Sequence, residues 1–233
     1  MTNVRRQSKG LNTDQVKELD YGWRHAAIIG RPLNLMISTR PIDVDELALV
    51  ERCQLFAAVR NKLGVYARLR GFEPTFVWSR EVNPDGTGEH MHVLMHVPSK
   101  YRAEFEQTVL GWLPGAAEID VIRANQKTRF TWNGRRLSAV GYISKQMTPQ
   151  AWYRRGLLRK PGGAVLGKTG GITKNLDRRA REAFRGSWPA FGGSSWMPPS
   201  RLLAENQHGA GIGASPELEG LGNQARMQGG GLR

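Results

Sequence analysis

A chain of 233 residues with 39% hydrophobic content can bury one core of ordinary domain size and still carry appendages. Its 34 Lys and Arg against 20 Asp and Glu give a formal net charge of +14, which favours a polyanionic partner, most simply nucleic acid. A single cysteine, Cys53, excludes an internal disulfide and suits a reducing cytosol, and no apolar run approaches the length of a membrane span.

Residues 1–30 begin polar, with no apolar stretch behind Arg5 and Arg6, so they read as an N-terminal extension rather than a secretory signal. "LNLMIST" (33–39) predicts a strand with Leu33, Leu35 and Ile37 facing a core and Asn34, Met36 and Ser38 facing out. Asp43 is a candidate helix cap. Leu47, Val50, Leu55, Ala58 and Leu63 then recur at helical spacing toward a stop near Gly64. "TFVWSREV" (75–82), the turn "NPDGTG" and the following "EHMHVLMHV" predict a β-hairpin. "SKYRAEFEQTVLGWL" predicts a second helix, "AEIDVIRA" a short strand and "RRLSAVGYISKQM" (135–147) a third helix. Residues 151–188 form a basic, glycine-rich loop and a short basic helix over "TKNLDRRAREAFRG". Residues 189–233, rich in Gly, Ser and Pro, are expected to be a disordered tail. Within 31–150 the order strand, helix, strand, strand, helix, strand is that of a split βαβ, ferredoxin-like α+β fold. It predicts an antiparallel sheet with helices on one face and a functional site on the open face.

The second hairpin strand holds an unusual pattern. Side chains alternate between faces along a strand, so Met91, Val93, Met95 and Val97 share an apolar face while His90, His92, Leu94 and His96 share the other. Imidazoles at i and i+2 stand roughly 7 Å apart, close enough to converge on one ion, whereas His96 lies about 13 Å beyond His92. Glu81, just before the turn, can approach the His90 end. Two imidazoles and one carboxylate leave positions open on a divalent ion, and Mg²⁺ or Mn²⁺ with phosphate as a further ligand fits that set. The alternative is a surface strand with chance histidines and an exposed rim carboxylate.

On a helical projection of 135–147, Leu137, Val140, Ile143 and Met147 form the apolar side. Tyr142 points the other way, with Arg135, Ser138, Lys145 and Gln146. A tyrosine among basic and polar groups can meet a phosphate, and an ammonium at i+3 favours its phenolate and a pentavalent phosphorane.

Histidine–hydrophobe–histidine on a strand ("HMH", 90–92) followed by Tyr-x-x-Lys on a helix ("YISK", 142–145) resembles the HUH endonucleases. The resemblance is closest to the small rolling-circle replication initiators of bacterial plasmids or phages. "LNLMISTR" is similar in position to their first motif, and Glu81 matches the acidic third ligand that many of them place before the histidine strand. The resemblance covers roughly residues 30–150. It implies a metal-dependent enzyme that nicks single-stranded origin DNA at a hairpin or nick site. Tyr142 would be the nucleophile and Lys145 its helper, with Glu81, His90 and His92 as metal ligands. The products would be a 5′-phosphotyrosine link and a 3′-OH primer for the host replication machinery, in the cytoplasm of a bacterial host. Some members carry two tyrosines about one helical turn apart; here Tyr153 lies too far on, so a single-tyrosine enzyme is expected. Arg135, Ser138, Gln146, Arg154, Arg155 and Lys168 are the candidate DNA contacts.

"GGAVLGKT" (162–169) fits the phosphate-loop pattern, but a charged segment ending in Pro161 precedes it and Gly170–Gly171 follow, where the pattern needs a buried strand and a helix. A basic loop near phosphate is the expectation instead. Rival readings are a relaxase or transposase with the same chemistry, a non-catalytic single-strand-binding module of the same topology, and a cupin-like metalloenzyme. The last leaves the basicity unexplained.

Overall fold

The computed structural model describes residues 7–41, 43–112, 117–155, 160 and 162–186. The chain begins with a two-residue strand β1 (Gln7–Ser8) and helix α1 (Thr13–Ile28). Asn12 caps α1 by accepting from the Gln15 N–H, and the Gln15 side chain returns the bond. Strand β2 (Leu35–Pro41), helix α2 (Leu49–Leu69), strands β3 (Phe76–Glu81) and β4 (His90–Met95), helix α3 (Arg102–Leu110) and strand β5 (Ala117–Arg123) follow. A hairpin of β6 (Arg129–Trp132) and β7 (Arg135–Ser138) leads into the short helix α4 (Ala139–Ile143) and then α5 (Pro149–Arg155). Strands β8 (Val165–Leu166) and β9 (Gly170–Ile172) and helix α6 (Arg178–Gly186) close the described chain.

The protein is α+β. Its main sheet has five strands in the order β5-β2-β4-β3-β9, every neighbouring pair antiparallel. β4, the histidine strand, lies at the centre between β2 and β3, so its backbone is fixed from both sides. One face packs Leu35, Ile37, Met91, Val93 and Met95 against Phe56, Val59 and Leu63 of α2 and Phe105 and Val109 of α3. The alternation read from β4 places these residues, and each such buried side chain contributes about 1.5–3 kcal/mol.

Several expectations need correction. Helices cover both faces of the sheet, not one: Met36, Val77 and Leu94 on the second face pack with Val16, Leu19 and Ala26 of α1 and Val140 and Ile143 of α4. Met36 therefore faces a second core, and Leu33 belongs to it too. The segment read as an extension holds α1, whose apolar stripe is hidden among polar residues. The helix expected to start at Asp43 and stop near Gly64 instead begins after Ala48, where the Glu51 carboxylate accepts from the Ala48 N–H. It runs through Gly64 to Leu69 and ends before Gly71, whose φ of 72° suits a residue without Cβ. The third helix is a strand followed by a short helix. Asn133 (φ 47°) and Gly134 (φ 73°) form a two-residue turn with both φ values positive, which pairs "RFTW" with "RRLS". Residues 189–233, expected to be a tail, lie outside the described residues.

Candidate functional site

Strand register builds the centre of the site. Glu81 stands directly opposite His90 across β3 and β4, and Ser38 and Ser79 flank His92. Directly opposed residues share a face with their Cβ atoms about 5 Å apart, so the carboxylate and both imidazoles meet. His90 Nε2 lies 3.4 Å from Glu81 Oε2, and His92 Nε2 lies 3.9 Å from Glu81 Oε1. One ligand atom from each of the three residues lies within 4.8 Å of the others. Tetrahedral ligands about 2.1 Å from one ion stand about 3.4 Å apart, so side-chain contraction by up to about 1.5 Å would let the three share one ion.

The remaining ring nitrogens are held. His90 Nδ1 donates to the Gly88 carbonyl at 2.9 Å, and His92 Nδ1 pairs with the Ser38 hydroxyl at 2.8 Å. Such outer bonds fix the ring angles and would let each Nε2 serve as the lone-pair nitrogen once an ion is bound, as ligating histidines require. Gly88 has φ 62°, and a Cβ there would sit 2.8 Å from Asn83 Nδ2, so this carbonyl depends on a glycine. The donor set, two imidazoles and a carboxylate, fits a divalent ion.

Two lysines supply countercharge. Lys145 Nζ donates to Glu81 Oε1 at 2.7 Å and sits 3.4 Å from His92 Nε2. Lys160 Nζ reaches Glu81 Oε2 at 3.4 Å, and its backbone N–H donates to the Lys145 carbonyl at 2.7 Å. Burial alone would raise the Glu81 pKa, but the His90 hydrogen bond and the Lys145 charge hold it well below the usual carboxylate range. Burial pushes His92 down to about 3, against the pull of Glu81, so this ring is neutral at physiological pH. Burial also lowers Lys145, opposed by Glu81.

Tyr142 projects from α4, whose N-terminus Ser138 caps by accepting from the Gly141 N–H. Its ring meets His92 edge-on at 5.4 Å between centroids and Phe130 at 5.2 Å, and the Lys145 ammonium lies 3.8 Å from its centre. The expected promotion of the phenolate by Lys145 is not what this geometry gives. The ammonium sits over the ring face, while burial, and then the Glu81 and Asp120 carboxylates, raise the phenol's pKa. Tyr153, on α5, is 84% exposed and is not among the residues packed around the cluster.

The expected DNA contacts divide. Arg135 and Lys168 are exposed, the first on β7 and the second between β8 and β9. Ser138 serves as the α4 cap. Gln146 is buried and does not face solvent: its amide donates to the Val82 carbonyl and accepts from the Val82 N–H, each at 2.9 Å. The reason is that α4 ends at Ile143, so the helical projection that put Gln146 beside Tyr142 does not apply. Lys145 leaves the solvent face for the same cause. Arg154 and Arg155 close α5, and their side chains lie outside the described residues. Around "GGAVLGKT" the chain runs strand, turn, strand, with Thr169 buried, rather than loop to helix. Arg80, buried with its partner Glu89, donates to the Leu166 carbonyl at 2.9 Å and pins this turn to the sheet.

Sequence reasoning missed Lys160, Ser38 and the Arg80–Glu89 pair. Ser38 was findable, since it shares a strand with the first motif. Lys160 had no local signal, because only tertiary folding returns it to Glu81. No family model, no curated protein and no solved structure matches this chain. No described helix is long and apolar enough to cross a membrane.

Proposed function

We propose that this protein is a metal-assisted endonuclease that nicks single-stranded DNA through Tyr142, in the manner of the HUH replication initiators it resembles. One observation carries the reading. A buried Glu81–His90–His92 cluster, competent to hold one divalent ion, has a tyrosine ring against His92 and a lysine shared between the two. The strand order β5-β2-β4-β3, with α2 between β2 and β3 and α3 between β4 and β5, supports the ferredoxin-like arrangement on which such sites are built. The net charge of +14 supports a polyanionic substrate.

Glu81, His90 and His92 would hold Mg²⁺ or Mn²⁺. The ion, when bound, supplies polarisation of a phosphate oxygen. Tyr142 Oη attacks the phosphorus, losing its proton to solvent. The new O–P bond links the 5′-phosphate to the tyrosine, while the old bond breaks and the 3′-oxygen leaves as a hydroxyl. Lys145 lies over the Tyr142 ring, where its ammonium would offset charge on the phosphorane. A 3′-OH left in this way primes a polymerase, which suits replication initiation in a bacterial host cell. Relaxases and transposases would share each step.

The test is incubation with a random-sequence single-stranded DNA pool and Mn²⁺, followed by denaturing electrophoresis for a covalent adduct. Wild type forms it, Tyr142→Phe does not, and Tyr142→Phe retains DNA binding. Absence of any adduct from wild type would overturn the reading. An adduct that persists in Tyr142→Phe and disappears in Tyr153→Phe would move the nucleophile.

A further inference from the structure

The β6–β7 hairpin is a two-stranded ribbon outside the main sheet. Register places Phe130 opposite Leu137 and Trp132 opposite Arg135, so these four share one face, while Arg136, opposite Thr131, lies on the reverse. Phe130 roots that face in the second core and touches the Tyr142 ring. Trp132 lies about 7 Å farther out along the strand, half-buried, with the exposed Arg135 beside it. Among the described residues, no hydrogen bond, ion pair or ring contact engages the side chains of Trp132, Arg135 or Arg136. The segment 125–138 carries Lys127, Arg129, Arg135 and Arg136 and no acidic residue.

A tryptophan with no ring partner, flanked by unpaired arginine on a ribbon without acids, complements a chain that presents planar bases and phosphates together. Unpaired bases expose their faces for stacking, and paired ones do not. An aromatic path runs Phe130, Tyr142, His92 from the root of the hairpin to the candidate metal ligands, and Trp132 stands about 7 Å beyond Phe130 on the same face. We propose that the face of this hairpin bearing Trp132 and Arg135 is a docking platform for single-stranded DNA. A base stacks on Trp132, Arg135 holds its phosphate, and the strand is led toward Tyr142. The inference rests on the nucleic-acid reading of the site, but it is tested without cleavage.

The measurement is fluorescence anisotropy of a labelled mixed-sequence single-stranded oligodeoxynucleotide, titrated with full-length protein in chelator so that no strand is cut. Trp132→Ala should weaken binding about five-fold to a hundred-fold, the range for loss of one stacked base. Trp132→Phe should restore most of the affinity, which a merely structural hairpin residue need not do. Arg135→Ala should reduce both affinity and its salt dependence, and Arg136→Ala, on the reverse face, should do less. Circular dichroism confirms that each variant is folded. Binding of folded Trp132→Ala within twofold of wild type would overturn the platform, as would an equal loss for duplex DNA. An RNA version bound more tightly than DNA, with the same dependence on Trp132, would overturn the choice of DNA. Trp132-dependent binding without an adduct would sink the nuclease reading alone. Cleavage with Trp132-independent binding would sink the platform alone.

Discussion

Replacing Lys145 by Met tests the centre of the site through stability. The Lys145–Glu81 pair is buried at both ends, with side chains 4% and 0% exposed. Removing one partner of such a pair costs about 3–5 kcal/mol, because a charge is left uncompensated away from water. Two neighbours soften the loss here: Lys160 Nζ and His90 Nε2 each lie 3.4 Å from the other Glu81 oxygen. Met nearly preserves the volume, so about 2–4 kcal/mol of destabilisation is expected without metal. For a folded body of this size each kcal/mol lowers Tm by about 2–4 °C, so the midpoint should fall by about 5–15 °C. Mn²⁺ at a hundred times its Kd should return about 2.7 kcal/mol. At one fixed Mn²⁺ concentration the gain should exceed that of wild type, where the Lys145 ammonium competes with an ion for Glu81. Differential scanning calorimetry in chelator and across a Mn²⁺ titration reads both quantities, with Glu81→Gln as the variant expected to lose the metal response. The reasoning fails if Lys145→Met matches wild type in chelator to within about 0.5 kcal/mol, or if Mn²⁺ stabilises Glu81→Gln as much as the others.

Two more predictions concern the same region. His92 and Glu81 both have depressed pKa values in the folded state, so each contributes stability that is present above its unfolded pKa and is lost on acidification. Metal-free stability should therefore fall as pH drops from about 6.5 toward 3 through His92, and more steeply below about 4.5 as Glu81 joins. Each group adds up to about 1.4 kcal/mol per pH unit. His92→Gln should flatten the upper part of a urea-denaturation profile taken against pH, and an unchanged profile would refute the assignment. Gly163→Ala should destabilise by about 1–3 kcal/mol and weaken the Lys160 contact, because its Cβ would lie 2.5 Å from the Asn83 carbonyl, a backbone atom that cannot swing aside. A variant as stable as wild type to chemical denaturation would show that this loop does not need the close approach.

Features that depend on local periodicity were legible in the chain alone. Alternation along 90–97 assigned Met91, Val93 and Met95 to one core and His92 to the opposite face, because side chains in a strand must alternate. The hairpin closed by "NPDGTG" brought Glu81 to His90 for the same local reason. The Asn133–Gly134 turn was equally legible, and taking 135–147 as one helix hid it. That choice carried Gln146 to the wrong environment and put Arg135 on a helix instead of a ribbon. The remaining features are set by contacts between residues far apart in the chain. α1 covers the second sheet face because Met36, Val77 and Leu94 need apolar partners that its stripe of Val16, Leu19 and Ala26 supplies. Lys145 and Lys160 converge on Glu81 because a buried carboxylate must find countercharge, and no spacing in the sequence encodes where that charge comes from.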